Sequence, residues 1–143
     1  MLVSTKGRYA LRVMIDLAEH QSEGYIPLKD TAKRQDISEK YLEQIIGVLN
    51  KAGYVKSVRG AQGGYRLTRE PSEYTVGDIL RLTEGSLCPV SCLEGDVNEC
   101  ERCDTCATLK VWKKLQKAID DVVDHVTIQD LLDEETGAMD YSI

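Results

Sequence analysis

With 143 residues, 42% of them hydrophobic and 29% charged, the chain has the apolar content of one packed domain. No apolar run approaches the ~18 residues of a membrane span, and Lys6, Arg8, Arg12 and Asp16 interrupt any secretory h-region, so a cytoplasmic protein with no membrane partner is expected. The net charge of −6 is unevenly spread: residues 1–70 carry twelve Lys/Arg against eight Asp/Glu (+4), and residues 71–143 carry six against sixteen (−10). A basic half joined to an acidic half suggests that the first half alone meets a polyanion.

In chain order, Tyr9, Ala10, Val13, Met14, Leu17 and Ala18 recur at helical spacing and predict an amphipathic helix over 5–20, broken by Gly24. Pro27 suits the first turn of a short second helix, running to about Arg34. Ser38 is a good N-cap for a third, whose apolar face is Tyr41, Leu42, Ile45, Ile46 and Leu49 and whose other face is Lys40, Glu43, Gln44 and Gly47. Gly53 is its expected stop.

Two β-prone runs, Tyr54–Arg59 and Tyr65–Thr68, flank Gly60-Ala-Gln-Gly-Gly64 and predict a hairpin. Helix, short helix, helix and hairpin is the order of a winged helix-turn-helix. The third helix would lie in a DNA major groove, and the hairpin would be the wing with Arg59 near its tip. The glycine-rich turn lacks the Lys and Ser/Thr of a phosphate-binding P-loop and leads into a strand, which argues against nucleotide binding.

Thr75-Val-Gly-Asp78 is a capping box that opens a helix to about Thr83. All five cysteines follow within one polar stretch: Cys88, Cys92, Cys100, Cys103 and Cys106. An odd number of clustered thiols in a cytosolic chain points to metal or redox chemistry, not to a disulfide framework. Cys100-x-x-Cys103-x-x-Cys106, with Cys88-Pro89 upstream, has the look of a ferredoxin ligand run and would suit 4Fe–4S. From about Thr105 to His125 the pattern is helical again. Trp112, Leu115, Ile119 and Val122 repeat like a coiled-coil seam, so a homodimer is expected, as helix-turn-helix proteins reading two half-sites commonly form. A second capping box, Thr127/Asp130, starts a short final helix, and residues 134–143 are expected to fray. The fold class is mostly α with a small β-hairpin wing. It divides into a winged helix-turn-helix domain (1–83), a cysteine-rich loop (84–106), a dimerisation helix with a short final helix (107–133), and the tail.

The segments STKGRYALRVMIDLA, ISEKYLEQIIGVLNKAGYVKSVRGAQGGYRL, YTVGDILRLTEG, the cysteine loop and VWKKL together resemble the Rrf2-type bacterial transcriptional regulators, above all their iron–sulfur-binding IscR-like branch. The resemblance extends to about Leu132. It implies a homodimeric regulator, repressor or activator, on a pseudo-palindromic double-stranded DNA operator. Ser38, Lys40, Glu43, Gln44, Arg59, Gly60 and Gln62 are the expected DNA-binding residues. It also implies that Cys92, Cys100 and Cys106 hold an iron–sulfur cluster that senses redox or nitrosative stress or iron–sulfur status, with 2Fe–2S favoured. Enterobacterial relatives have a histidine three residues after the third cysteine; here that residue is Leu109, which leaves the fourth ligand open among Cys103, Cys88 and Glu43. Glu43 has a plainer role as an acceptor for a cytosine N4 amine. A zinc-thiolate site, a thiol switch in cysteine metabolism and a small electron carrier use the same cysteines in other ways. His20 and His125 have no nucleophile placed beside them, and no enzyme is expected.

Overall fold

The computed structural model describes residues 3–95, 97–98 and 100–137. Six α-helices and one two-stranded antiparallel sheet are found among them: α1 (Thr5–Glu19), α2 (Leu28–Gln35), α3 (Glu39–Lys51), β1 (Val55–Val58), β2 (Gly64–Leu67), α4 (Val76–Glu84), α5 (Leu109–Val123) and α6 (Ile128–Gly137). The order is that of a winged helix, with α2–α3 as the helix-turn-helix and β1–β2 as the wing.

The helix α1 forms because its apolar residues share one face, and it is the centre of the core. Ala10, Val13, Met14 and Leu17 are buried against Leu42, Ile45, Ile46 and Leu49 of α3, Val55 and Leu67 of the wing, Ile79 of α4 and Ile128 of α6. Its N-cap is Ser4, whose hydroxyl accepts from the Gly7 N–H at 3.1 Å while donating to Glu84. At Gly7 the helix passes close to α4, where a Cβ would press on the Thr83 hydroxyl and displace the end of the Glu84 side chain.

One buried charge ties α1 to α2. Asp16 is 2% exposed. It accepts from Arg34 through Nε at 3.0 Å and a terminal nitrogen at 2.7 Å, from Gln35 Nε2 at 2.9 Å, and from Thr31 at 3.3 Å. Burial pushes its carboxyl up, but the hydrogen bonds from Arg34 and Gln35 and the attraction of Arg34 outweigh it, so the group stays below its ordinary value. A second hub joins the wing to α4. The fully buried Tyr74 donates its hydroxyl to the Tyr54 carbonyl at 2.9 Å, sits 2.9 Å from the Thr68 hydroxyl, and accepts from the Arg69 N–H at 3.0 Å.

Several boundaries differ from the sequence expectations. Pro27 is the N-cap of α2 and not inside its first turn. The helix α5 begins at Leu109 rather than near Thr105, because residues 101–105 close tight turns, with Cys103 N–H donating to Cys100 O at 3.1 Å and Thr105 N–H to Arg102 O at 3.0 Å. Residues 134–137, the start of the tail expected to fray, belong to α6, and residues 138–143 lie outside the described residues. Both capping boxes are present, at Thr75/Asp78 and Thr127/Asp130. No helix among the described residues is long and apolar enough to cross a membrane.

A winged-helix surface and a loop of free thiols

The N-terminal half of α3 presents a polar, open face. The Ser38 hydroxyl caps the helix by accepting from the Tyr41 N–H at 3.1 Å. With Leu42, Ile45, Ile46 and Leu49 turned inward, helical geometry leaves Ser38, Lys40, Glu43, Gln44 and Gly47 exposed together. Gly53, with φ 78°, ends the helix in the left-handed conformation and turns the chain into β1.

The wing pairs Val55 with Leu67, Lys56 with Arg66, Ser57 with Tyr65 and Val58 with Gly64. Its turn carries Arg59, Gly60 and Gln62, all exposed. Gly64 is needed because a Cβ would strike the Ile26 carbonyl. That close approach lets Ile26 and Tyr65 exchange two backbone hydrogen bonds of 2.8 Å, a third edge for the wing that the sequence patterns did not reveal. An open groove runs between the start of α2, the end of α3 and the wing, with Lys29, Asn50, Ser57 and Arg59 on its walls. Lys29, Asn50 and Ser57 were not singled out from the sequence. Their signal is positional only and needs the hairpin folded back beside α2.

The predicted seam of α5 divides. Ile119 packs within the chain against Leu80, Leu87 and Val123, and Trp112 is half-buried. Leu115 (43% exposed) and Val122 (63%) face outward with Val111 (55%), an i, i+4, i+11 stripe left open on the protomer. The helix is held to α4 by Arg81, which donates to Asp124 and, at 2.9 Å, to Asp120. The bond to Asp124 holds the Arg81 guanidinium above its ordinary value and the Asp124 carboxyl below its own. Gly77 lies beneath this pair, where a Cβ would meet both side chains.

All five cysteines are free thiols. Each described sulfur contact is local. Cys88 Sγ donates to the Leu93 carbonyl at 3.2 Å, Cys103 Sγ lies 3.7 Å from the Asp104 carboxylate, and Cys106 Sγ lies 3.4 Å from the Thr108 hydroxyl. The Thr108 hydroxyl first, then the N–H groups of Thr108 and Leu109 at the start of α5, hold the Cys106 thiol below its ordinary value. As a donor set, soft thiols grouped without disulfides fit iron–sulfur or zinc chemistry. Their placement is not that of an assembled site: among the described residues no three His, Cys, Asp or Glu side chains stand close enough to share a metal ion. Glu43, on the exposed face of α3, is likewise not grouped with the thiols in the single chain.

A family model described as Rrf2, iron-dependent transcriptional regulator, matches residues 3–134. The chain belongs to the Rrf2 family of transcriptional regulators. It is 42% identical to the regulator CymR of Bacillus subtilis over 137 residues, covering 96% of this chain and 94% of CymR. The solved structure of that protein, described as the global cysteine regulator, superposes with a TM-score of 0.78 over 92% of this chain and 96% of its own. The structure of T. potens IscR is 48% identical, with a TM-score of 0.76 over 96% of this chain and 90% of that one. IscR of Aliivibrio salmonicida is 40% identical over 134 residues, covering 92% of this chain and 77% of that protein. These relatives are named as regulators, and the Rrf2-type chain described here is a regulator and not an enzyme.

Proposed function

We propose that this Rrf2-type regulator binds a pseudo-palindromic operator as a homodimer and senses through its thiol loop, where Cys92, Cys100 and Cys106 hold an iron–sulfur cluster. In this reading α3 enters the major groove with Ser38, Lys40, Glu43 and Gln44 toward base edges, and Arg59, Gly60 and Gln62 of the wing meet the minor groove. Val111, Leu115 and Val122 supply the outward part of the dimer seam. The observation that carries the sensing role is the grouping of five unpaired thiols in one turn-rich segment between the DNA-binding fold and α5. When bound, the cluster supplies a centre that responds to oxidants and nitric oxide. It would also gather ligands that stand apart in the free chain, so that binding reshapes the loop leading into α5. The 2Fe–2S form is favoured over 4Fe–4S, with the fourth ligand drawn from Cys103, Cys88 or Glu43.

The similarity to a cysteine regulator supports a second reading, in which the same thiols form a redox switch without metal. Purification without oxygen, followed by visible spectra and iron content of the wild type and of Cys→Ser variants at all five positions, separates the two. Under the cluster reading the protein is coloured, C92S, C100S and C106S each lose iron, and operator affinity changes with iron loss. Full iron in all three variants would overturn the ligand assignment. Colourless protein with thiol oxidation that alters DNA affinity would favour the switch. Colourless protein holding about one zinc per chain would make the loop a structural thiolate site.

A further inference from the structure

Lys56 and Arg66 stand directly opposite each other on the wing, in register across β1 and β2, on the face turned away from the buried Val55 and Leu67. Like charges placed opposite in an antiparallel pair destabilise it. Neither cation forms an ion pair among the described residues; Arg66 lies 5.6 Å from the Tyr25 ring, and Lys56 is exposed. Glu70 and Glu73 line the same surface depression as the two cations, and Glu73 accepts the Glu70 N–H at 2.9 Å in the turn before α4. Two like charges thus face each other across the hairpin with no salt bridge to either glutamate among the described residues.

We infer that Lys56 and Arg66 form a phosphate clamp on the outer face of the wing, gripping the DNA backbone that borders the minor groove. The inference rests on the winged-helix reading above and extends it to residues that no base-reading or minor-groove role includes. Lys56 lies three residues before Arg59, roughly 10 Å back along an extended strand. The minor groove is only about 6 Å wide, so a wing whose tip enters it brings residues at that distance beside the flanking phosphates. A phosphate between the two side chains would convert their mutual repulsion into two attractions. Such contacts fix the register of the wing and carry no sequence information.

The test uses full-length protein and several defined duplexes of unrelated sequence, with binding to each measured over a range of salt concentrations. The variants are K56Q, R66Q, the double variant, and R59A for comparison. Each lost phosphate contact flattens the slope of log K against log salt by about 0.9, so the double variant should lose about 1.8 and weaken on every duplex by a similar factor. K56Q should keep or raise the thermal midpoint, because it removes the cross-strand repulsion. That combination separates a functional cation from a structural one. If the double variant keeps the wild-type slope and affinity while R59A weakens, the outer face does not touch DNA and the clamp is refuted. Weakening confined to particular duplexes also refutes it, because phosphate contacts do not discriminate sequence. Salt-independent binding by the wild type would sink the proposed docking of α3 and the wing on DNA, and the clamp with it.

Discussion

The two halves of the molecule are held together in different ways. In residues 3–84 nearly every element packs on α1, and the polar groups inside are closed into hubs at Asp16 and Tyr74. The thiol loop has hydrogen bonds that span a few residues, and α5 rests on a small cluster of Leu80, Leu87 and Val123 with the Arg81 ion pairs at its edge. A DNA-reading surface needs its side chains pre-positioned. A segment that responds to a ligand or an oxidant must instead rearrange at modest cost, and such segments come from the less stable parts of a fold.

The sharpest way to break this contrast is through Asp16. In D16N, Arg34 and Gln35 lose the carboxylate they converge on. With the Arg34 side chain 35% exposed and so partly screened, a loss of about 2–3 kcal/mol in chemical unfolding is expected. The pH dependence has a definite sign. Because the folded carboxyl lies below its ordinary value, its contribution is present above about pH 3.9 and is lost as pH falls through the folded value. Wild type should therefore lose more stability than D16N on acidification below pH 4. Parallel acid curves would show that the hub does not hold the DNA-binding half.

On α5, I119D and V122D sharpen the division between inward and outward faces. I119D places a charge against Leu80, Leu87 and Val123 and should cost the protomer about 1–3 kcal/mol in addition to any effect on assembly. V122D, at an exposed position, should change protomer stability by no more than about 0.5 kcal/mol while shifting light scattering from dimer to monomer. A dimeric V122D would remove Val122 from the seam.

The smallest effect is expected at Arg81. R81Q should cost only about 0–1 kcal/mol, since the ion pairs are partly exposed. Its use lies elsewhere: if the pairs set the angle of α5, R81Q should alter the preferred spacing between half-sites in a selection from random duplexes. An unchanged spacing would leave that angle to the apolar cluster alone.

Much of this protein was determined locally and could be read from the chain. The third helix with its Ser38 cap, the Gly53 stop, the Thr75/Asp78 and Thr127/Asp130 boxes and the hairpin around Gly60–Gly64 depend on residues a few positions apart, whose geometry the backbone dictates. The exposed face of α3 was legible for the same reason, since the helical period fixes what lies opposite Leu42 and Ile46. Tertiary structure decided what depends on distant partners. Ile26 bridges to Tyr65 across 38 intervening positions because Gly64 lets the two backbones approach, and no period encodes that meeting. The α5 stripe looks uniform in sequence, yet Ile119 turns toward α4 and Val122 away, because a seam of one spacing serves an intrachain or an interchain neighbour equally well. The thiols mark a distinct segment by their number and crowding, but whether they converge depends on irregular turns, whose paths no residue spacing sets.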